Sequence, residues 1–203
     1  RNADSGYGNA IVGTVSGTSI SFGIPTRFVS AVPNNYMSLA FDSSNNKIIL
    51  LYVVSGDANG YAIVGTVSGT SISFGSAVVY NSGNTSDFKV TFDSTNNKAV
   101  VVFRDYGNSY YGTARVGTVS GTSISFGSKV VYEAANSQNN SIGFDSNAGK
   151  VVISYGDGGN GQRGTLIVGT VSGTSISFGT AEVFHSAGAI SGILAGTGTV
   201  FDS

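Results

Sequence analysis

The chain has no cysteine and no tryptophan, and His185 is its single histidine. The lack of cysteine excludes disulfides, thiolate catalysis and zinc-thiolate sites together. One histidine cannot form a histidine metal cluster, and it argues against a Ser-His-Asp site, so His185 is interpreted as a polar loop residue. No apolar run approaches the length of about 18 residues that a membrane-spanning helix needs. These absences remove thiol enzymes and membrane insertion from the candidate functions.

Charged residues are also scarce, because only 10% of the chain is Asp, Glu, Lys or Arg and the formal net charge is -1. Without a strong field of either sign, nothing attracts phosphate backbones or anionic lipid, so we expect no nucleic-acid partner. Solubility then depends on neutral polar groups, as in many extracellular and virion surface proteins, and we expect that localisation. Because the chain starts with Arg1 and not with Met, we also expect it to be a processed or excised piece.

Repetition is the dominant positive feature of the chain. The twelve residues Val-Gly-Thr-Val-Ser-Gly-Thr-Ser-Ile-Ser-Phe-Gly, hereafter the constant segment, occur four times unchanged at a spacing of 52 residues, at 12–23, 64–75, 116–127 and 168–179. A period of about 40 to 50 residues with strand signals alone is typical of β-propeller blades. The chain of 203 residues is therefore interpreted as one all-β domain, 1–203, without helices.

Residues 88–132 show the repeat unit most clearly. Apolar residues from Phe88 to Phe92 alternate with polar ones and lead into the Asn-rich turn 94–97, which predicts a strand A and a hairpin. The next run, 98–103, is apolar on both faces, as expected for a strand B packed between two neighbouring blades. Strands C and D follow around the constant segment, so four antiparallel strands make one blade.

The same pattern predicts blades at 36–80, 88–132 and 140–184, with A–B turns at 43–46, 94–97 and 146–149. The chain ends are incomplete, since 7–29 contains a C–D hairpin and 197–203 repeats the start of a strand A. The two ends could form a composite blade that lacks strand B. We expect a β-propeller with four blade units, which is either a closed ring or part of a larger ring or fibre.

Identical sequence at identical spacing predicts identical environments. We therefore expect the isoleucine and the phenylalanine of each constant segment to be buried between blades. These residues are Ile20, Ile72, Ile124 and Ile176, with Phe22, Phe74, Phe126 and Phe178.

The connections between strands divide into fixed and variable ones. The A–B and C–D turns barely change, whereas the B–C loops and the D–A connections differ between repeats. The B–C loops are 4–9, 55–61, 104–111 and 156–163, and the D–A connections are 25–36, 80–87, 132–138 and 184–188. In an up-and-down blade both variable kinds emerge at one end of the strands, as in a scaffold for recognition. The alternative is that longer loops vary because little constrains them.

The variable end is rich in Tyr, Asn, Asp and Gly, with three arginines. Tyr offers a flat ring with a polar tip, and Asn and Asp offer paired hydrogen-bonding groups, which suits stacking on a sugar and holding its hydroxyls. We expect the ligand-binding residues to be Arg27, Tyr61, Asn84, Asp87, Arg104, Tyr106, Tyr110, Asn160 and Arg163. The alternative is that Asn, Asp and Gly serve turns and that Tyr packs at strand ends.

Metal binding and catalysis find less support. The Phe-Asp-Ser turns carry Asp42, Asp93, Asp145 and Asp202. One carboxylate per turn suits an Asx turn better than a calcium loop. Glu133 and Glu182 are the two glutamates, and the aromatic Asp-box of sialidases is absent, so a glycosidase-like propeller is the most distant alternative. We expect no enzyme activity, no metal and no cofactor.

The combination of Phe-Asp-Ser-x-Asn-Asn-Lys with the constant segment resembles tandem repeats in predicted tail-fibre and other structural proteins of marine phages, and in surface proteins of marine bacteria. The resemblance covers nearly the whole chain and implies an adhesion role on a virion or cell surface, but it transfers no site residue. Our first hypothesis is a recognition module whose partner is a host or environmental glycan or a cell-surface receptor. The second is a structural spacer or decoration repeat whose partners are copies of itself or other virion proteins.

Overall fold

The computed structural model of the chain describes residues 6–186, and the fold is that of this part. It is all-β, as predicted: within these residues there are eighteen strands and two short 3-10 turns, and no α-helix. The 3-10 turns, Tyr106–Asn108 and Gly158–Asn160, lie in B–C loops where the sequence predicts no helical element. In this part of the chain no helix has the length and hydropathy to cross a membrane.

The strands form a hairpin and three meanders. The N-terminal hairpin contains β1 (Gly8–Ala10), β2 (Gly13–Ser16), β3 (Ser19–Phe22) and β4 (Thr26–Val29). The first meander contains β5 (Pro33–Asp42), β6 (Lys47–Val54), β7 (Gly60–Ser68), β8 (Ser71–Phe74) and β9 (Val78–Asn81). The second contains β10 (Thr85–Asp93), β11 (Lys98–Asp105), β12 (Tyr111–Ser120), β13 (Ser123–Phe126) and the start of β14 (Val130–Asp145). The third contains the end of β14, β15 (Lys150–Asp157), β16 (Arg163–Ser172), β17 (Ser175–Phe178) and β18 (Glu182–His185).

Each meander is antiparallel and follows the predicted order A–B–C–D. In the first meander β5, β6 and β7 pair in sequence order, and β8 and β9 both pair with β7. Strand D is therefore in two pieces, and the Gly75 amide between them donates to the Val64 carbonyl over 3.0 Å. The A–B turns lie at 43–46, 94–97 and 146–149, which confirms their predicted positions.

The A–B turns form because their aspartates accept hydrogen bonds from the turn backbone. Asp42 Oδ1 accepts from the amide of Ser44 over 3.0 Å, and Asp93 and Asp145 accept from turn amides in the same manner. These bonds confirm the Asx-turn interpretation for three of the four aspartates. The fourth, Asp202, lies outside the described residues.

Two predicted D–A connections are not loops. At 25–36 the chain forms β4 and the start of β5, with residues 30–32 between them. The sequence predicts a variable D–A connection at 132–138, but β14 runs through it and joins the second and third meanders into one nine-stranded sheet. The pairing of β14 shifts register beside Gly112 and again between Gln138 and Ser141. Such irregularities bend a strand without ending its hydrogen bonding, so the sheet curls and its two parts face each other.

The core lies between successive meanders and is built on the B strands. On β11, Val101 and Phe103 pack toward the first meander, while Val100 and Val102 pack toward the third. A smaller cluster around Phe28 joins the N-terminal hairpin to the first meander. The prediction that strand B is apolar on both faces because it lies between two sheets is confirmed.

The constant segments are contact surfaces for one another. Gly75, the last residue of the second segment, lies against the backbone of Thr122 in the third, and a Cβ at Gly75 would overlap the Thr122 carbonyl oxygen. The other contacts of this kind join Gly23 to Thr70 and Gly127 to Thr174. Since each glycine must leave room for the next turn, both the glycine and the turn are constrained by the stacking of repeats.

The expectation of equal burial is wrong: Ile124 and Ile176 are buried and the two residues of the first constant segment are exposed, while four of the eight positions are half-buried, namely Ile72, Phe74, Phe126 and Phe178. Ile124 is 3% exposed, whereas Ile20 is 54% and Phe22 is 62% exposed. Strand β13, which carries Ile124, packs against β7 and β9 of the preceding meander. Within residues 6–186 nothing precedes the N-terminal hairpin in the stack, so β3 has no such surface to cover it. Burial of the segment therefore depends on the preceding repeat.

The ends of the stack are incomplete. The N-terminal hairpin supplies strands C and D, and the place of strands A and B is a groove between Phe28 of the hairpin and Met37, Leu39 and Leu50 of the first meander. The expected strand at 197–203 lies outside the described residues. A closed ring of four-stranded blades is not formed within residues 6–186.

Candidate functional site

The B–C loops and the segments that follow strand D lie against each other at one end of the meanders. In the first meander, the Asn59 side chain accepts from the Gly83 amide over 2.7 Å. In the second, the Tyr106 amide donates to the Asn84 carbonyl over 3.2 Å. This end is opposite to the A–B turns, because β10 and β11 run from the turn at 94–97 to the pair formed by residues 85 and 105.

Four of the sequence-predicted residues form one group, the Arg104 cluster, which consists of Asp87, Arg104, Tyr106 and Tyr110. The guanidinium carbon of Arg104 lies 4.9 Å from the ring centre of each tyrosine. The two rings meet edge to face with centroids 4.8 Å apart. Arg104 Nη1 lies 3.8 Å from the Asp87 carboxylate, which also accepts from Ser86 Oγ over 2.9 Å. Cation–π and edge-to-face contacts of this kind hold aromatic rings in fixed orientations.

The backbone of the loop fixes the cluster. The Asp105 side chain accepts from the Gly107 amide over 3.2 Å and so starts the 3-10 turn. Ser109 and Tyr110 follow with φ of 55° and 65°, and the Tyr110 amide donates to the Asp105 carbonyl over 2.9 Å. A tyrosine in the left-handed region is uncommon and requires its surroundings to hold it, as occurs at binding sites. The turn leaves Tyr110 44% exposed.

The buried side chain of Asp105 and its partners Lys129 and Asn81 hold the loop in place. Lys129 Nζ donates to the Asp105 carboxylate over 2.7 Å, and Asn81 Nδ2 lies 3.4 Å from the other oxygen of this carboxylate. Asn81 also donates to Thr85 Oγ1 over 2.7 Å. Because Asp105 is buried, its charge requires these partners. Sequence reasoning missed Lys129. The signal was that a lysine stands here, whereas the neighbouring repeats have alanine at the same position, Ala77 and Ala181.

Tyr61 lies at the start of β7, directly after the B–C loop of the first meander. Its ring stacks on Tyr52 with centroids 5.5 Å apart, and its hydroxyl donates to Asp57. This hydrogen bond is the main reason why the pKa of Tyr61 is raised above its usual value. The Tyr61 hydroxyl therefore remains a hydrogen-bond donor at neutral pH.

The other predicted residues lie in the other repeats, and not all of them are in loops. Arg27 lies on β4 of the N-terminal hairpin, and its guanidinium lies 4.5 Å over the ring of Tyr7. In the third meander, Arg163 begins β16, and its Nη1 donates to Asn160 Oδ1 over 3.1 Å. The structure thus brings Asn84 and the Arg104 cluster together and distributes Arg27, Tyr61, Asn160 and Arg163 over the other repeats.

An acidic pair in the third meander escaped the sequence reasoning. Glu133 and Asp157 stand one repeat after Asn81 and Asp105. Burial, and then the charge of Asp157, raise the pKa of the Glu133 carboxyl. The position of Lys129 is Ala181 here, so the third meander has an acidic pair where the second has an ion pair.

A second missed charge, Arg115, joins two meanders. Its guanidinium donates to the Gly127 carbonyl over 2.6 and 2.8 Å and to the Tyr80 carbonyl over 2.7 Å. Partial burial lowers the pKa of the guanidinium. The signal was in the sequence, because isoleucine stands at this position in the other repeats, at Ile11, Ile63 and Ile167. Arg115 has a structural role, since all of these acceptors are backbone carbonyls.

The described residues offer no metal centre. Within residues 6–186 there is no group of three His, Asp or Glu side chains that could hold a metal ion. The aspartates of the A–B turns already accept hydrogen bonds from backbone amides. What the variable end can supply chemically is aromatic faces, arginine donors and carboxylate acceptors.

Comparisons with protein families, curated proteins and solved structures find no match for this chain.

Proposed function

We propose that this chain is a non-enzymatic recognition and adhesion module that binds a host or environmental glycan through the loops at one end of its meanders. The observation that supports the proposal most is the Arg104 cluster. It combines two tyrosine rings, an arginine and a carboxylate beside a loop that is held by the buried Asp105 and its ion pair with Lys129. A binding site of this kind loses little conformational entropy when a ligand arrives.

The chemistry of the cluster suits a sugar. The exposed ring of Tyr110 offers an apolar face on which a pyranose ring can stack. The Asp87 carboxylate can accept from a sugar hydroxyl, and the Tyr106 hydroxyl can donate or accept. Arg104 has one face against the two rings and adds planar donors beside them. Arg27, Tyr61, Asn160 and Arg163 would extend the contact surface along the neighbouring loops.

We further propose that the meanders are blades of a β-propeller on a virion or extracellular surface. Four-stranded antiparallel units, a repeat of 52 residues and B strands buried on both faces support this reading. The resemblance to marine phage tail-fibre repeats and to marine bacterial surface repeats supports the same location. The N-terminal hairpin would then be an incomplete blade.

The second candidate is a structural spacer or decoration repeat that contacts other copies. The apolar residues left exposed at the two ends of the stack support it. The two candidates are not exclusive, because the loops and the end surfaces are different parts of the molecule. A glycosidase would need a carboxylate pair on both sides of a glycosidic bond, and we propose no catalysis.

A glycan array with the intact chain tests the recognition proposal. We expect binding to a subset of glycans and its loss, by about tenfold or more, when Tyr106 and Tyr110 are both changed to alanine. Stability should change by about 1 kcal/mol or less, because Tyr110 is exposed, Tyr106 is half-buried and neither belongs to a core cluster. Phenylalanine at both positions should keep the stacking and so retain part of the affinity.

Phe41→Ala is the matched control, since Phe41 is an exposed aromatic residue beside the A–B turn, at the opposite end of the first meander. It should leave glycan binding unchanged. If the chain binds no glycan, or if Phe41→Ala reduces binding as much as the double variant does, recognition through the Arg104 cluster is wrong and the structural role is favoured.

A further inference from the structure

Successive repeats contact each other in the same manner at three places within the described residues. An aromatic residue of strand D packs against the phenylalanine of the next constant segment. These pairs are Phe28 with Phe74, Tyr80 with Phe126 and Tyr132 with Phe178, with ring centroids 5.8, 6.2 and 5.8 Å apart. The glycine that ends a constant segment receives the threonine turn of the next segment in the same three places.

The last repeat carries the first half of this contact. Phe184 stands at the position of Tyr132 and Tyr80, and it is 51% exposed. Val168 stands at the position of the buried Val116 and is 45% exposed. Gly179 has space around it, because a Cβ there would meet one atom within 4 Å, the Val168 carbonyl oxygen at 3.8 Å.

The N-terminal hairpin carries the second half. Its exposed Phe22 and Ile20 stand at the positions of Phe126 and Ile124, which pack against the preceding meander. Its turn ends in Thr18, the counterpart of the threonines whose carbonyls fill the space beside Gly23, Gly75 and Gly127. Exposed isoleucine and phenylalanine two residues apart on β3 form an apolar surface that favours burial.

We propose that the third meander of one copy binds the N-terminal hairpin of a second copy, head to tail. The interface continues the stack: Phe184 packs against Phe22, and the Thr18 turn lies in the space beside Gly179. The partner is a second copy because its N-terminal hairpin has the residues, in the same order, that the next repeat would place against the third meander. In addition, Phe22 and Phe184 are both exposed in the single chain. Such a heterologous interface generates a closed ring or a filament of copies. It uses no residue of the Arg104 cluster.

Sedimentation velocity of the intact chain over a range of concentrations tests the proposal. We expect the average mass to rise with concentration. Gly179→Ala should weaken this association about tenfold or more, because the added Cβ would overlap the Thr18 carbonyl of the second copy, while the melting temperature in dilute solution stays the same. Phe184→Ala should weaken it similarly, and Val131→Ala, which removes a comparably exposed side chain elsewhere, should not. A mass that is constant with concentration overturns the proposal.

Cysteine cross-linking separates a second copy from closure within one chain, since the natural chain has no cysteine. In the variant with Phe22→Cys and Phe184→Cys, at a protein concentration at which sedimentation still shows association, a short bifunctional maleimide should give a ladder of covalent multimers on a denaturing gel. A cross-linked monomer would show instead that the chain closes on itself, and no cross-link would show that the surfaces do not meet; either result overturns the proposal. Phe28→Cys with Phe74→Cys is the positive control, because these positions already form the contact within the chain. Phe22→Cys with Val131→Cys is the negative control.

Discussion

The constant segments at 12–23 and 116–127 have the same twelve residues and the same local structure. In both hairpins the glycine of the first strand pairs with the phenylalanine of the second, Gly13 with Phe22 and Gly117 with Phe126. A two-residue turn joins the two strands. Both hairpins close with a bond of 2.9 Å from the last glycine amide to the first valine carbonyl. Their burial nevertheless differs widely, because one segment packs against a complete meander and the other stands at the start of the stack.

The comparison shows that the conformation of the hairpin and its contribution to the stability of the fold have different origins. The hairpin forms wherever the segment occurs, because turn residues and strand pairing are local. The hydrophobic contribution requires a preceding repeat whose strands bury the apolar side chains, as in other repeat proteins where neighbours supply the interface energy. Equal sequence therefore predicts equal conformation but not equal energy.

The largest effect expected from this difference is at the isoleucine of the segment. Ile124→Ala should destabilise the chain by about 2–5 kcal/mol, because it opens a cavity between the first and second meanders. Ile20→Ala should cost less than about 1 kcal/mol, because Ile20 is exposed. Urea denaturation, at a protein concentration where the chain is monomeric, measures both. Equal costs at the two positions would contradict the burial assigned here.

The glycine that ends the segment should show a smaller difference in the same direction. Gly127→Ala should destabilise by about 1–3 kcal/mol, since its Cβ would overlap the Thr174 carbonyl and force the third meander away from the second. Gly179→Ala should change the melting temperature of the monomer little, because the nearest atom would lie at 3.8 Å. Thermal unfolding by circular dichroism compares the two variants. A silent Gly127→Ala would mean that the repeats do not stack through this contact.

The smallest effect concerns the acidic pair Glu133 and Asp157. In the second meander the equivalent aspartate, Asp105, has Lys129 as its partner, whereas the third meander has alanine in place of the lysine. Because burial raises the pKa of Glu133 in the folded state, folding disfavours its charged form, and this cost is complete above the folded pKa. The cost disappears as the pH falls below the unfolded value of about 4.3, where both states are protonated. Glu133→Gln should thus raise the melting temperature at pH 7 by about 1–3 °C and leave it unchanged near pH 4.

Glu182→Gln is the control for this measurement, because Glu182 is exposed. It should not alter the melting temperature at either pH. A Glu133→Gln variant that is less stable than the natural chain at pH 7 would show that the Glu133 carboxylate is stabilising and that a counter-charge has been overlooked.

Much of the fold could be predicted because the signals were local and repeated. The turns at 43–46, 94–97 and 146–149 follow from Asx residues between alternating strands, and the two-sided apolar run at 98–103 predicts a B strand between sheets. The continuous strand through 132–138 could not be predicted, because its polar residues resemble a loop and the bulges that redirect it depend on its partner strands. The candidate site was predicted in part: the tyrosines and arginines were chosen by type, whereas the support from Asp105 and Lys129 exists only through contacts between distant residues.

The sequence by itself determined the repeat length, the strand order within a repeat and the Asx turns, since each depends on residues close together in the chain. The tertiary structure decided which copy of the constant segment is buried and which of the variable loops contact each other. Burial requires a neighbouring sheet, and the Arg104 cluster requires Asp87 on one strand to meet Arg104 on the next. Those meetings depend on stacking and register across the whole chain, which a single repeat does not encode.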